Sequence, residues 1–234
     1  MNIKIEKIDF SYKRNQIFND FSTNLQFNKD CIVLMGHNGA GKTTLLNLIC
    51  GILKSLHGTI TVDRELDMAY LPFDNNIYAN LTVLGNITFW YQIYNNKQLD
   101  LKNEFFNYLI DALKLRKLLH TKSISLSSGE EKKLAFLIIL LSNAKLIILD
   151  EPFNGIDPIS ILEITNLINT LRKKGTNFLI SSHQLDILEK VATQYIIMKD
   201  YQILEMGNMN RVDTVSLYDK YEKIYKDDYY DEYI

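Results

Sequence analysis

The stretch Gly36-His37-Asn38-Gly39-Ala40-Gly41-Lys42-Thr43 decides the fold, because it lies between an apolar run at residues 31–35 and a helix-like run at residues 44–50. This order of strand, glycine-rich loop and helix is the context that a phosphate-binding loop needs. The glycines permit backbone angles that a side chain forbids, so successive N–H groups can surround a phosphate chain at the positive end of the helix. Lys42 then supplies a positive charge for the outer phosphates, and Thr43 supplies a hydroxyl for a magnesium ion. The competing interpretation is a glycine-rich turn that only opens a helix.

Length and composition indicate one compact unit. The 234 residues are 47% hydrophobic and 23% charged, which suits a single α/β domain with an inserted subdomain. The net charge of −2 gives no global basic field, so nucleic acid is not expected as a partner.

The sequence opens without a signal-peptide core, and its longest apolar run, residues 134–141, is too short to span a bilayer. Cys31 and Cys50 lie in apolar segments, which indicates buried thiols in a reducing compartment. We therefore expect a cytoplasmic protein that touches a membrane only through a partner.

Alternating apolar and polar residues near the start predict an outer, partly antiparallel sheet. The alternation covers residues 3–10 and 21–27, and residues 58–62 and 68–71 predict two further strands. Tyr12 lies in the polar turn after the first of these strands. Its ring either stacks on a purine or packs at the strand end, and the residues alone leave both interpretations open.

The pattern becomes helical after residue 72. Residues 83–94 and 105–115 carry apolar residues at spacings of three and four, and no strand signal interrupts them. We therefore predict a helical subdomain, at about residues 73–123, inserted into the sheet. Its aromatic residues exceed what one helix face can bury, and they form either core or a docking surface. They are Phe89, Trp90, Tyr91 and Tyr94.

Two acidic residues follow a strand that is predicted to be buried. Residues 146–149 form a continuous apolar run of the kind that suits a parallel strand, and the run ends in Asp150-Glu151. Carboxylates at the C-terminal tip of such a strand lie in the crevice where α/β sheets bind ligands. Asp150 can hold magnesium through water, and Glu151 can polarise an attacking water molecule. Upstream, residues 126–130 offer serines as helix N-caps, so alone they indicate a helix start.

Five segments, in this order and spacing, resemble the ATPase subunit of an ABC transporter over residues 1 to about 210. They are residues 36–43, Leu126 to Glu130, Leu146 to Glu151, Asn154-Gly155-Ile156-Asp157 and Ser181-Ser182-His183. The resemblance implies an α/β fold: a P-loop NTPase core with a mostly parallel sheet, an N-terminal antiparallel β-subdomain and an inserted helical subdomain. It also implies that residues 1–210 form the nucleotide-binding domain and residues 211–234 a C-terminal tail.

The resemblance also assigns residues to ATP. Those expected to bind the nucleotide in the same subunit are Tyr12, on adenine, and Gly36, His37, Asn38, Gly39, Ala40, Gly41, Lys42, Thr43 and Thr44. Those expected at the ATP of the partner subunit are Ser127, Ser128 and Gly129 of the signature sequence, with Asp157 at the dimer seam. Thr43 and Asp150 are expected to hold Mg²⁺. Glu151 and His183 are the expected catalytic residues, with His183 reaching the γ-phosphate.

Two positions depart from the family pattern. After the strand at Tyr70-Leu71 the family usually has a glutamine that binds magnesium and relays to the membrane subunit, whereas this chain has Pro72-Phe73-Asp74. Asp74 can still meet the metal and Phe73 cannot. The signature has Ser128 and Glu130 where glycine and glutamine are commoner. Glu130 puts an acid near a polyphosphate, which slows turnover or weakens the dimer.

The resemblance implies an enzyme that hydrolyses ATP to ADP and phosphate and powers transport, export in particular, through a separate transmembrane permease subunit. The subunit is expected to work as a homodimer, peripheral on the inner face of the cell membrane. The single short domain looks most like the ATPase of small exporters for peptides, antibiotics or lipids. Three alternatives remain: a haem-exporter-like ATPase of cytochrome c maturation, a soluble ABC-type ATPase not coupled to transport, and a non-catalytic nucleotide-binding regulator.

The acidic, tyrosine-rich tail from residue 218 is a last helix or a frayed end.

Overall fold

The computed structural model describes residues 1–63, 68–209 and 216–231. Within these ranges the chain forms, in order, β1 (Asn2–Tyr12), β2 (Asn15–Gln26), β3 (Cys31–Met35), α1 (Lys42–Ile49), β4 (His57–Val62), β5 (Met68–Leu71), α2 (Val83–Asn95), α3 (Glu104–Ala112), α4 (Ser128–Leu140), β6 (Leu146–Asp150), α5 (Pro158–Lys173), β7 (Asn177–Ser181), α6 (Leu185–Leu188), β8 (Gln194–Lys199), β9 (Gln202–Asn208) and α7 (Leu217–Asp231). No helix of the described part is both long and apolar enough to cross a membrane.

The strands form two sheets. The smaller sheet has the order β2-β1-β4, and the larger has the order β5-β6-β7-β3-β8-β9. The chain folds as two compact units, Met1–Arg64 with Leu179–Ile234, and Glu65–Phe178. The division falls inside β7. β1 to β4, β8 and β9 therefore belong to the first unit, and β5 and β6 to the second.

The smaller sheet is the predicted antiparallel one. β1 pairs antiparallel with both β2 and β4, and Ile3, Ile5 and Ile8 of β1 are buried. β2 begins at Asn15, well before the predicted start at residue 21. The register of β1 against β2 shifts at several points. Such bulges put consecutive residues on one face, so the simple alternation that marks a strand is lost over the first half of β2.

In the first unit, β3 carries the glycine-rich loop on a buried strand. All five β3 residues are buried, and β3 pairs parallel with β8 from Ile32 opposite Gln194 to Met35 opposite Ile197. β9 returns antiparallel beside β8. A strand buried on both faces reads as a continuous apolar run, which is why the sequence identified β3.

In the second unit, β5 and β6 pair in parallel, and Leu71 lies opposite Leu149 at their carboxyl ends. Helices fill the segment between these strands, as predicted. The predicted helix at residues 105–115 is α3, which Asn103 caps by accepting a hydrogen bond from the Phe106 N–H at 2.9 Å. α3 ends at Ala112, since Lys114 adopts a left-handed backbone with φ 57° that a helix cannot contain.

Candidate functional site

The loop between β3 and α1 depends on its glycines for its shape. Gly39 and Gly41 adopt φ values of 91° and 98°, in the region that side chains disfavour, and Gly41 is the N-cap of α1. Gly36 has a different reason: a Cβ there would lie 2.5 Å from the carbonyl oxygen of Met198 at the end of β8. The loop therefore packs so closely against β8 that position 36 can hold only glycine. The glycines therefore have the conformational role that the sequence predicted for them, and phosphate binding by the loop stays a prediction.

Lys42 is held by its own loop. The side chain is buried, and its Nζ donates hydrogen bonds to the carbonyl oxygens of Gly36 at 2.8 Å and His37 at 3.1 Å. Thr43, the next residue, is exposed. A phosphate that recruits the ammonium must therefore replace two carbonyl contacts with charged ones, which favours an anion with more than one oxygen in reach.

Two other predicted residues lie in the same unit. Tyr12 is exposed at the end of β1, and its ring meets Phe10 edge-on with centroids 4.9 Å apart. His183 is exposed just after β7, and Ser182 before it is buried, with its N–H donating to the carbonyl of Leu34 at 3.2 Å. His183 and the loop therefore leave neighbouring strands at the same edge of the sheet. The side chains of Tyr12 and His183 are both exposed.

In the second unit, Asp150 is the last residue of β6 and Glu151 directly follows it. Asp150 is 1% exposed, and the hydroxyl of Tyr70 donates to its Oδ2 at 3.5 Å. Glu151 is also buried, and its φ of 48° places a bulky residue in the left-handed region. Backbone strain of this kind costs on the order of 1–3 kcal/mol and gathers at functional sites. The left-handed backbone of Glu151 changes the direction of the chain where β6 ends.

The loop after β5 surrounds a buried lysine. Lys132 of α4 donates from Nζ to the carbonyl oxygen of Phe73 at 3.0 Å, and the same ammonium lies 5.5 Å from the centre of the Phe73 ring. Burial lowers the pKa of Lys132, while the carboxylates of Glu131, Asp150, Asp74 and Glu151 act in the opposite direction. Asp74 is exposed and acts on the same ammonium as Asp150 and Glu151. Phe73, Asp74, Glu131 and Lys132 line an open cavity of about 510 Å³.

The signature segment forms the start of α4. Ser127 is the N-cap: its Oγ accepts from the Glu130 N–H at 3.3 Å, and Glu130 Oε2 accepts from the Ser127 N–H at 2.9 Å. Ser128 follows in the first turn, and its hydroxyl donates to the carbonyl of Gly155 at 2.7 Å. The first turn of α4 is therefore tied to the segment that precedes α5.

Gly129 and Asp157 lie against each other. A Cβ at Gly129 would be 2.6 Å from Asp157 Oδ2 and 3.0 Å from Ser160 Oγ. Asp157 is the N-cap of α5, where its Oδ1 accepts from the N–H groups of Ile159 and Ser160, and its Oδ2 accepts from the Ser160 hydroxyl at 2.6 Å. These bonds hold the pKa of Asp157 below its usual value, with the Ser160 hydroxyl as the largest cause. The pair requires glycine at 129.

The order of these features along the chain is matched by a known family. The family described as ABC transporter matches residues 18–154, more than half of the chain. The chain belongs to the ABC transporter ATPase family. It is the ATP-binding, ATP-hydrolysing subunit of a transporter.

Relatives of this ABC ATPase extend the likeness beyond the matched residues. The lipopolysaccharide export system ATP-binding protein LptB of Haemophilus influenzae is 31% identical over 219 residues, which cover 88% of this chain and 90% of LptB. A solved ATP-binding cassette of an ABC transporter in its ADP conformation is 26% identical, with a TM-score of 0.72 over 89% of this chain and 92% of that one. A solved ATP-binding subunit of an ABC transporter, at 22% identity, shares the fold with a TM-score of 0.78 over 99% of both chains.

Sequence reasoning missed two residues of this ABC ATPase that contact its predicted functional segments. Lys132 was not singled out, although it directly precedes the predicted apolar helix that starts at Lys133, where a charged side chain that becomes buried needs a partner. Tyr225 lies in the tail, and its hydroxyl accepts from the His37 N–H at 3.4 Å. A contact between residues 188 positions apart leaves no local pattern in the sequence.

Proposed function

We propose that this subunit powers export of a substrate through a separate membrane subunit, on the cytoplasmic face of the cell membrane. The likeness to LptB, named for an export system, supports the direction of transport. The observation that carries the proposal is an exposed aromatic cluster in the second unit, Tyr78, Phe89, Trp90 and Tyr94. A transporter ATPase has to pass its conformational change to a membrane partner, and this cluster is suited to receive a helical segment of that partner.

The cluster consists of rings that contact one another at the surface. Trp90 stacks on Tyr78 and Tyr94 with centroids 5.9 and 5.8 Å apart, and it meets Phe89 edge-on at 5.4 Å. Tyr78, Phe89 and Tyr94 are 47%, 39% and 39% exposed. The indole N–H of Trp90 donates to the Asn76 carbonyl at 3.1 Å, which fixes the central ring. Rigid, half-exposed aromatic groups are the residues that dominate protein interfaces.

For hydrolysis we propose the following roles. Residues 36–44 surround the phosphates, Tyr12 stacks on adenine, and Lys42 exchanges its two loop carbonyls for phosphate oxygens. Glu151 accepts a proton from the attacking water, and His183 donates to the γ-phosphate. Phosphoryl transfer to water depends on positioning and charge neutralisation more than on covalent chemistry.

Mg²⁺ suits the proposed residues, because hydroxyl and carboxylate oxygens are the ligands it prefers. In the described ranges no group of three or more His, Cys, Asp or Glu side chains is arranged to hold a metal. Thr43, Asp150 and Asp74 would therefore share the ion with ATP phosphates and water. The ion would neutralise charge on the transferred phosphoryl group.

We further propose that two copies of this chain pair around ATP, with Ser127, Ser128 and Gly129 of one facing the nucleotide of the other. The start of α4 supports this, since a helix N-terminus binds anions and Gly129 leaves the approach open. ATP bound by one copy would lie against Gly129 of the other copy. The contact between Gly129 and Asp157 would then transmit the effect of ATP binding to α5 of that second copy.

The membrane subunit can be identified by its gene, which we expect beside this one, encoding about six apolar segments of ~20 residues. Trp90→Ala should abolish co-purification with that protein and depress export, while basal ATPase activity of the isolated subunit persists. Tyr108→Ala is the control, since Tyr108 is an exposed aromatic residue outside the cluster, on α3. Undiminished co-purification with Trp90→Ala would exclude the cluster as the docking surface.

Direction is tested separately in cells. Replacing the gene by the Glu151→Gln variant should raise the exported compound inside the cell and lower it outside, as measured by comparing extracts of cells and medium. The reverse change would identify an importer. Lys42→Ala, which removes a charge worth on the order of 2–5 kcal/mol to a desolvated polyphosphate, should give the same change as Glu151→Gln.

A further inference from the structure

Tyr225 of α7 joins the end of β8 to the start of the phosphate loop. Its ring is buried, and its hydroxyl donates to the carbonyl oxygen of Met198 at 2.6 Å. The hydroxyl oxygen of Tyr225 also accepts a hydrogen bond from the backbone N–H of His37 at 3.4 Å. One hydroxyl therefore serves as donor to a strand and acceptor from the loop.

Both partners of the hydroxyl, one in β8 and one in the loop, lie where the path of the loop is determined. The Met198 carbonyl is the atom that leaves room only for glycine at position 36. His37 is the next residue, and its ring meets the Tyr225 ring edge-on with centroids 5.7 Å apart. Tyr225 thus contacts the loop through backbone and ring together.

The ring of Tyr225 is fixed on its other sides. Tyr221 stacks on it with centroids 4.2 Å apart, and the Lys199 ammonium lies 5.3 Å from its centre. α7 is itself anchored at its start, where buried Leu217 donates its N–H to Glu189 at 3.2 Å. Burial raises the pKa of Tyr225, so its hydroxyl stays protonated and able to donate. The hydroxyl is therefore presented to the loop by a fixed support.

We propose that Tyr225 is a positioning residue that keeps the phosphate loop in the shape that accepts ATP. This rests on the assignment of residues 36–44 as the nucleotide loop. In the structure, the carbonyls of Gly36 and His37 hold the Lys42 ammonium, and ATP draws that ammonium away. The Tyr225 contacts do not involve Lys42, so they remain when it leaves. A glycine-rich loop has many conformations to lose on binding, and an external contact reduces that cost in advance.

Tyr225→Phe tests the hydroxyl alone, since it keeps the ring. Binding of a fluorescent N-methylanthraniloyl ATP to the full chain should weaken about three- to tenfold, the effect of one net hydrogen bond, and KM for ATP should rise in step. kcat should change less than about twofold, because the Tyr225 contacts affect ATP binding and not the chemical step. Tyr218→Phe is the matched control, an exposed tyrosine on the same helix.

Hydrogen exchange gives a second measurement, made on the wild-type protein and on Tyr225→Phe. The His37 amide of the wild type should be protected without nucleotide, and in Tyr225→Phe it should exchange faster. A rapidly exchanging His37 amide in the wild type would overturn the proposal. So would an unchanged affinity for the ATP analogue in Tyr225→Phe, even with a lowered melting temperature, because the tail would then only stabilise the fold.

Lys42→Ala separates the two assignments. Loss of binding in Lys42→Ala with no change in Tyr225→Phe refutes the role of Tyr225 alone. Full binding by Lys42→Ala refutes the loop assignment, and the role of Tyr225 with it.

Discussion

Ser127 and Glu130 hold each other at the start of α4. The Ser127 N–H donates to Glu130 Oε2 at 2.9 Å, the Ser127 hydroxyl donates to the same oxygen at 3.0 Å, and the Glu130 N–H donates back to Ser127 Oγ. The hydroxyl proposed to reach the partner's ATP is therefore already bound to a carboxylate. From the sequence, Glu130 was expected to favour the first turn of a helix and to place an acid near the nucleotide. The structure adds that it also caps the helix.

Glu130→Gln should keep the cap and remove the charge, because the amide oxygen still accepts from the Ser127 N–H. We expect ATP-dependent dimerisation at an ATP concentration lower by on the order of 2- to 10-fold, with faster turnover. Light scattering during an ATP titration measures the first effect. Glu131→Gln makes the same charge change one residue away, where Glu131 accepts from Asn75. Equal effects of the two variants would show that net charge alone is responsible.

Gly129→Ala should damage the cap of α5. The new Cβ would lie 2.6 Å from Asp157 Oδ2, so the carboxylate must move from its hydrogen bonds. Loss of an N-cap costs about 0.5–2 kcal/mol, which a urea unfolding curve measures. We also expect reduced ATPase activity. Gly85→Ala, in the first turn of α2, is the control, since its nearest neighbour is the Thr82 hydroxyl at 3.2 Å. Equal losses of stability in both variants would contradict the special fit of Gly129.

Asp74→Ala tests the replacement for the missing glutamine. If Asp74 helps to hold Mg²⁺, the variant should need more magnesium for half-maximal ATPase activity. Phe73→Gln should leave basal hydrolysis intact or raise it, because the hydrogen bond from Lys132 goes to the backbone carbonyl of residue 73 and survives the change of side chain. A magnesium titration decides between these. An unchanged rate and magnesium dependence in Asp74→Ala would make this carboxylate an ordinary loop residue.

Glu151→Gln should stop hydrolysis and leave ATP binding intact. The amide keeps the shape of the side chain and cannot accept the proton from water. With ATP no longer consumed, mass action favours the closed dimer, so the purified variant should shift from monomer to dimer when ATP is added. Wild-type protein should shift only transiently. Size-exclusion chromatography with light scattering measures both.

Ser127→Arg in the Glu151→Gln background is the control for that shift. The arginine places bulk at the shared nucleotide and should cancel the dimer. A Glu151→Gln protein that stays monomeric with ATP and hydrolyses it at the wild-type rate would show that Glu151 is not the base.

Much of the fold could be read from local patterns. β3 and β6 are buried on both faces, so their sequences are unbroken apolar runs that end in the loop and in Asp150. The first half of β2 could not be read in this way, because bulges against β1 remove its alternation. The end of α3 was placed too late, since nothing in its apolar spacing marks the left-handed turn at Lys114.

The sequence by itself determined the family and the candidate site residues, because short segments of fixed spacing carry them and local geometry requires those residue types. Tertiary structure alone decided how these residues are held. Lys132 donates a hydrogen bond to the Phe73 carbonyl, Gly129 packs against the Asp157 carboxylate, and the Tyr225 hydroxyl accepts a hydrogen bond from the His37 N–H. Each is a contact between residues distant in the chain, where a single hydrogen bond or a missing Cβ decides the fit, and no local pattern records such a contact.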